Sequence, residues 1–335
     1  NTAVGNDALG ANTTGASNTA VGGYALDANT TQSGLVAVGY NALGANTTGD
    51  ENTALGYQAL LVNTTGANNT AVGANALDAN NASNNTAVGL NALTANTTGT
   101  YNVALGGGAL QSVTTASYNT AVGVIALATN EGANNTAVGS SALTANSIGE
   151  SNVAIGYNAM DANTTGAENT ALGASTLDAN TTGTQNVAVG KSALGACTTG
   201  SYNTSVGYAA LDGLTTADYN TAFGHEALTA AVSGANNTGI GVGALAANTT
   251  ASSNVAVGTS ALDANTTGTE NVAMGAGALG ANITGSSSTA VGHNALLVNT
   301  ADDNTAFGRR ALYANTTGSS HVAVGLSALG ANTTS

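Results

Sequence analysis

The sequence predicts an all-β protein, a parallel β-solenoid or β-roll of about twenty coils, and three observations carry that expectation. A 17-residue phrase, "NTAVGNDALGANTTGAS" at positions 1–17, restarts at Asn18 as "NTAVGGYALDANTTQSG" and recurs to the end of the 335-residue sequence. Before the glycine of each "AVG", a β-branched residue, a small residue and a large apolar residue follow one another, the period of two that marks a strand. No apolar face is sustained at helical spacing, and glycine recurs beside threonine and valine, which disfavours helix.

Anchored on that glycine, the phrase has twenty copies, from Gly5 and Gly22 through Gly308 to Gly325. Sixteen of the nineteen intervals are 17 residues and three are 16, the short ones lying in "ALDANNASNN", "ALATNEGANN" and "ALLVNTADDN". Each shortening falls in the "NTTG" region, which is therefore expected to be loop. Solenoids grow by adding coils, so residues 1–335 are expected to form one repetitive domain, a segment of something longer.

The first strand of each coil is the segment ending at the large residue before the anchor glycine, as in Thr2 to Val4. A second short strand is expected in "ALxA", as in Ala8 to Ala11. The large residue before the glycine and the Leu four residues after it form two unbroken columns, Leu in nineteen copies and Met160 in the other. These columns are the expected core: Val4, Leu9, Val21, Leu26, Val72, Leu77, Val189 and Leu194, with like side chains stacked on like. Ala stands two before the anchor in eighteen copies, Ser205 and Gly239 being the exceptions. With the glycine it is expected to form a smooth outer strip against which sister chains pack.

Asn opens seventeen phrases, interrupted by Leu35, Ser288 and His321. At a corner its amide can donate to the coil on one side and accept from the other, so Asn18, Asn52, Asn69, Asn85 and Asn102 are expected to form a structural ladder. Asn also tolerates turn geometry, and that simpler explanation stands beside the ladder.

The charge balance of 3 Lys and Arg against 17 Asp and Glu, net −14, repels phosphate backbones and anionic headgroups. Nucleic acid is thus an unsuitable partner, and no run approaches the roughly 20 apolar residues of a membrane helix, so no membrane insertion is expected. A single cysteine, Cys197, permits no intrachain disulfide.

Chemistry-bearing patterns are sparse. His225, His293 and His321 lack a second His or Cys at metal-ligand spacing. "GIGVG" at Gly239 to Gly243 has neither the lysine nor the helix of a phosphate loop. Asp27, Asp78, Asp161, Asp178, Asp212 and Asp263 recur just after the Leu column and suit a solvated surface or weak cation binding. No enzyme, cofactor or metal site is expected. One column could hold a ligand: Tyr40, Tyr57, Tyr157 and Tyr208 follow the anchor glycine directly, and exposed aromatics on a rigid surface suit glycan stacking. Tyr101, Tyr118, Tyr202 and Tyr219 occupy another edge. "NTT" at Asn12, Asn29, Asn46 and Asn63 also matches the N-glycosylation sequon.

With "NTALGYQAL" (Asn52 to Leu60), "NVAIGYNAM" (Asn152 to Met160) and the recurrent "NTTG" in view, the chain resembles the repeats of phage tail-fibre-domain proteins. More loosely it is similar to the head repeats of trimeric autotransporter adhesins, which use a shorter phrase without the "NTTG" extension. The resemblance implies a left-handed, homotrimeric, extracellular or virion-borne shaft that carries or presents a host-contact surface and so serves an adhesive function; a cell-surface glycan is the partner that the tyrosine column would suit. Two other functions fit the same repeats: a self-assembling extracellular filament, or a flat ligand-binding face for glycans or ice.

Overall fold

The computed structural model describes residues 1–334. It divides into two compact units, Asn1–Ala167 and Glu168–Ser335. The first unit holds ten three-residue strands, β1 (Thr2–Val4) to β10 (Val153–Ile155), and the second another ten, β11 (Thr170–Leu172) to β20 (Val322–Val324). Within each unit every strand pairs in parallel with the next along the chain, and the register is column on column: Thr2 with Thr19, Ala3 with Ala20, Val4 with Val21. The 16-residue interval leaves that register intact, since Thr70 pairs with Thr86 and Val72 with Val88. The all-β parallel solenoid expected from the period is the observed fold, and the described residues contain no helix.

Each coil has one strand, not two. The "ALxA" segment is a succession of tight turns, with Ala25 N–H donating to the Gly22 carbonyl and Asn29 N–H to that of Leu26. The Leu column itself adopts the left-handed region, with φ +54° at Leu26 and +53° at Leu77, and so does the residue two before it, such as Asn41 or Asn75. Left-handed backbone costs roughly 1–2 kcal/mol for a residue with a Cβ. Burying a leucine side chain completely contributes about 1.5–3 kcal/mol, which offsets it. The turns are laddered as thoroughly as the strands: Tyr24 N–H reaches back to Asn6 O at 2.8 Å, while Leu26 N–H reaches forward to Ala42 O at 3.1 Å.

The anchor glycine is required by its backbone. Gly89 lies at φ +140°, and a Cβ there would sit 2.5 Å from the Gly106 carbonyl oxygen of the next coil. Only glycine lets consecutive coils approach so closely at that angle.

Burial corrects the expected core. Leu26, Leu77 and Leu194 are completely buried, as expected, with Leu9 half-buried on the first coil. The valine column is on the outside: Val4 is 60% exposed, Val21, Val72 and Val189 are half-buried, and Phe223 is 57% exposed. The alanine column points in, with Ala20, Ala37, Ala54 and Ala188 at 0% exposure. The expected Ala/Gly strip for sister chains is therefore interior, closed within the chain's own coil. Leucine from the opposite wall fills the interior and leaves room for little more than a methyl on the strand. At Gly239, which replaces alanine in β15 (Thr238–Ile240), a Cβ would meet the Leu228 Cγ and Cδ1 at 3.3 Å. Where Ser205 takes the same place, its hydroxyl donates to the Ala210 carbonyl at 2.7 Å, so its polar group is satisfied.

Candidate functional surfaces

The polar interior is built from two files of asparagine. Asn52, Asn69, Asn85 and Asn102 are fully buried and Asn18 nearly so. Asn18, Asn52, Asn69 and Asn102 direct both ends of the amide toward the following coil: Asn52 Nδ2 donates to Gly66 O at 2.7 Å and its Oδ1 accepts from Asn69 N–H at 2.9 Å. The same acceptance repeats from Asn85 to Asn69 and from Asn102 to Asn85. Further along the file one end goes to each side, as expected: Asn220 Nδ2 donates to Asn203 Oδ1 on the preceding coil at 3.3 Å and its Oδ1 accepts from Asn237 N–H on the following one at 3.0 Å. The second file is the asparagine of "NTT". Asn63 Nδ2 donates to Gly66 O at 2.9 Å and to Asn46 Oδ1 on the preceding coil at 3.2 Å. One glycine carbonyl thus serves both files. The recurrence of this second asparagine every 17 residues was its sequence signal, which turn chemistry alone does not need. Its burial removes the sequon reading at Asn29, Asn46 and Asn63, which are 0% exposed, since a glycan cannot be attached to an amide inside the coil; Asn12, on the first coil, is half-buried. Val113, Cys197, Leu214 and Ala231 interrupt the second file and are equally buried.

The 16-residue coils keep the files by substitution. Asn81 Oδ1 accepts from both Thr64 N–H and Thr65 N–H at 2.9 Å, in the place where Thr64 O serves Thr47 and Thr48. Glu131 does the same with its carboxylate, receiving Thr114 N–H at 2.8 Å and the Thr114 hydroxyl at 2.6 Å, with Thr115 on its other oxygen. Burial pushes the Glu131 carboxyl up, but these four donors together outweigh it and hold the group below the ordinary glutamate value.

The tyrosine column lies on the turn edge, exposed: Tyr40 49%, Tyr57 53%, Tyr157 60% and Tyr208 48%. Tyr40 and Tyr57 stack at 5.7 Å with planes 13° apart, and Tyr24, not singled out by the column, meets Tyr40 edge-on at 5.8 Å. Tyr208 stacks on His225 at 5.1 Å. On the other edge Tyr101 stacks with Tyr118 at 5.2 Å, and Tyr202 with Tyr219 at 5.0 Å. Ring-on-ring stacking occupies the faces a sugar would use. Tyr40 is covered on both sides, so the usable faces are the far side of Tyr57 and those of Tyr157, whose column neighbour on the preceding coil is Ser140.

Acidic side chains stay on the turn edges. Asp27, Asp78, Asp161, Asp178, Asp212 and Asp263 are all half-buried. Burial raises the carboxyls of Asp78, Asp212 and Asp263 above the usual aspartate value. Among the described residues no group of three His, Cys, Asp or Glu side chains is placed to hold a metal ion. An open groove of about 550 Å³ lies where Gly34 lacks a side chain, between Gln32, Ser33, Asp50 and Glu51. The Asp50 carboxylate there accepts the Ser33 N–H at 3.2 Å. No helix among the described residues is long and apolar enough to cross a membrane.

The outward face of the strands is uniform along each unit. Its two files are the Thr or Val that opens each strand and the large apolar residue that closes it. No charged residue occurs in any of the twenty strands. The chain matches no protein-family model and no curated protein.

Proposed function

We propose that the chain is a non-catalytic structural shaft, extracellular or virion-borne, that spaces and presents an adhesive function. Homotrimeric assembly and a left-handed coil belong to the same reading, as the resemblance to tail-fibre and adhesin repeats implies. The observation that carries it is the continuity of the ladder within each unit. Strand, turn and buried asparagine files all bond each coil to its neighbours, so a unit has no loop able to open without breaking several bonds at once. Such a structure resists bending and proteolysis, the properties a spacer needs.

Limited proteolysis with electron microscopy tests it: straight, discrete, protease-resistant particles of uniform length are expected. Rapid cleavage in the "NTTG" turns would refute the shaft, and indefinite polymers would replace it by a self-assembling filament.

A second reading, contact with a cell-surface glycan, is favoured by the open ring faces of Tyr57 and Tyr157. Glycan-array binding lost on Tyr57→Ala and Tyr157→Ala supports it, and binding unaffected by both variants removes the tyrosines from it.

A further inference from the structure

We infer that the outward face of the sheet is where a second copy of this chain docks. This deepens the proposed shaft by assigning the surface through which its chains meet, since the Ala/Gly strip is enclosed within each coil.

Three observations converge on this face. The first is its composition. In the first unit the closing file is Val4, Val21, Val38, Leu55, Val72 and Val88, then Leu105, Val122, Val138 and Ile155, and the opening file is threonine or valine throughout. In the second unit Phe223, Met274 and Phe307 stand out of the same file at 57%, 44% and 45% exposure. Protruding aromatics and methionine among smaller apolar residues are the composition of interface anchors.

The second is charge. The chain carries 17 acidic residues against 3 basic ones, and the first unit has no Lys or Arg at all. Two identical copies therefore repel one another through almost any surface. The strands are the exception, with every acid placed on a turn or loop edge. A second copy is the partner for which a charge-free face is needed most.

The third is size. Ten outward residue pairs per unit, each partly exposed, present on the order of 1,000 Å², against roughly 800 Å² per partner in a standard protein interface and a few hundred Å² for the apolar patches that monomers commonly leave open. The in-register columns also make the face periodic along each unit, so two copies meet with repeated like contacts.

The test is the native mass of the chain by light scattering or mass spectrometry, for the wild type and for Val72→Lys combined with Val122→Lys. Both side chains project outward, so the coil is expected to keep its β-sheet circular dichroism. The wild type is expected at an integral multiple of the chain mass. The double variant is expected at the mass of one chain, with association weakened roughly hundredfold or more by lysines brought into a dry interface. Should that variant unfold, Thr70→Arg with Thr120→Arg places charge in the neighbouring file and gives the same readout. Tyr57→Lys, on the turn edge, should leave the assembly intact.

A monomeric wild type at tens of micromolar overturns the inference, as does an assembly that survives charge in both files or dissociates on Tyr57→Lys. A monomeric wild type that shapes ice crystals gives the face to an ice lattice and equally overturns it. The rigid-spacer part of the shaft reading is tested apart from this: a monomer that resists protease keeps the spacer and removes both the interface and the trimer, while a protease-labile oligomer keeps the interface without the spacer.

Discussion

Asn69→Ala probes the asparagine file at its least ambiguous point. The side chain is 0% exposed and makes two bonds, accepting from Asn85 N–H at 2.9 Å and donating to Ala82 O at 2.8 Å. The two losses are unequal. Ala82 O keeps a second donor, Asn80 Nδ2 at 2.8 Å, so its carbonyl stays satisfied. Asn85 N–H, on a residue that is 0% exposed, loses the acceptor that its file supplies. Removing a net bond costs about 1 kcal/mol and stranding a buried donor about 1–3 kcal/mol, for an expected destabilisation of roughly 2–4 kcal/mol. For a unit of this size that lowers the melting temperature by about 5–15 °C. Thermal denaturation followed by circular dichroism reads the total, and hydrogen exchange at the Asn85 amide reads the cause, with protection lost there first. Thr70→Val, which copies the natural Val36 in the outward file, should stay within about 0.5 kcal/mol of wild type. An Asn69→Ala protein that melts with the wild type and still protects the Asn85 amide would refute the ladder as a source of stability.

Gly89→Ala should cost more than 3 kcal/mol, roughly the upper end of backbone strain, because its Cβ meets the next coil's carbonyl at 2.5 Å on a φ of +140°; a melting curve within a few degrees of wild type would contradict the close-approach argument. Glu131 is held below its ordinary value of 4.5, so its stabilising contribution is complete above that pH and is lost as pH falls through its folded value. Glu131→Gln should flatten the acid limb of the stability profile, and an unchanged acid limb would count against the threonine bonds. Cys197 is buried in the second asparagine file with its thiol pushed up to about 11, so it should resist a thiol reagent at neutral pH until the chain is denatured. Fast labelling of the native protein would show that the file is open there.

Two parts of the candidate surfaces were visible in the residues, and one was inverted. Tyr40 and Tyr57 recur 17 residues apart, so their adjacency on one edge follows from the period, and Asn52 and Asn69 are in the same position. That Tyr40 would be covered by Tyr24 was not legible, because Tyr24 stands one place further from its glycine than the other tyrosines. Nor was the function of Glu131, whose carboxylate replaces a backbone acceptor only because the shortened turn leaves Thr114 and Thr115 facing it.

By itself the sequence determined the coil: a 17-residue period with Gly5, Leu9 and Asn18 in fixed places admits stacked parallel strands and little else, since each local preference repeats in every copy. It also determined that alanine and valine lie on opposite sides of the strand, because side chains alternate. Only the tertiary structure decided which side is inside. Leu228 and its equivalents occupy the space between the walls, so the strand can turn little more than a methyl toward them and must leave valine, leucine and phenylalanine outside. Alternation carries no information about the width of the interior, and width is what placed the apolar face on the surface.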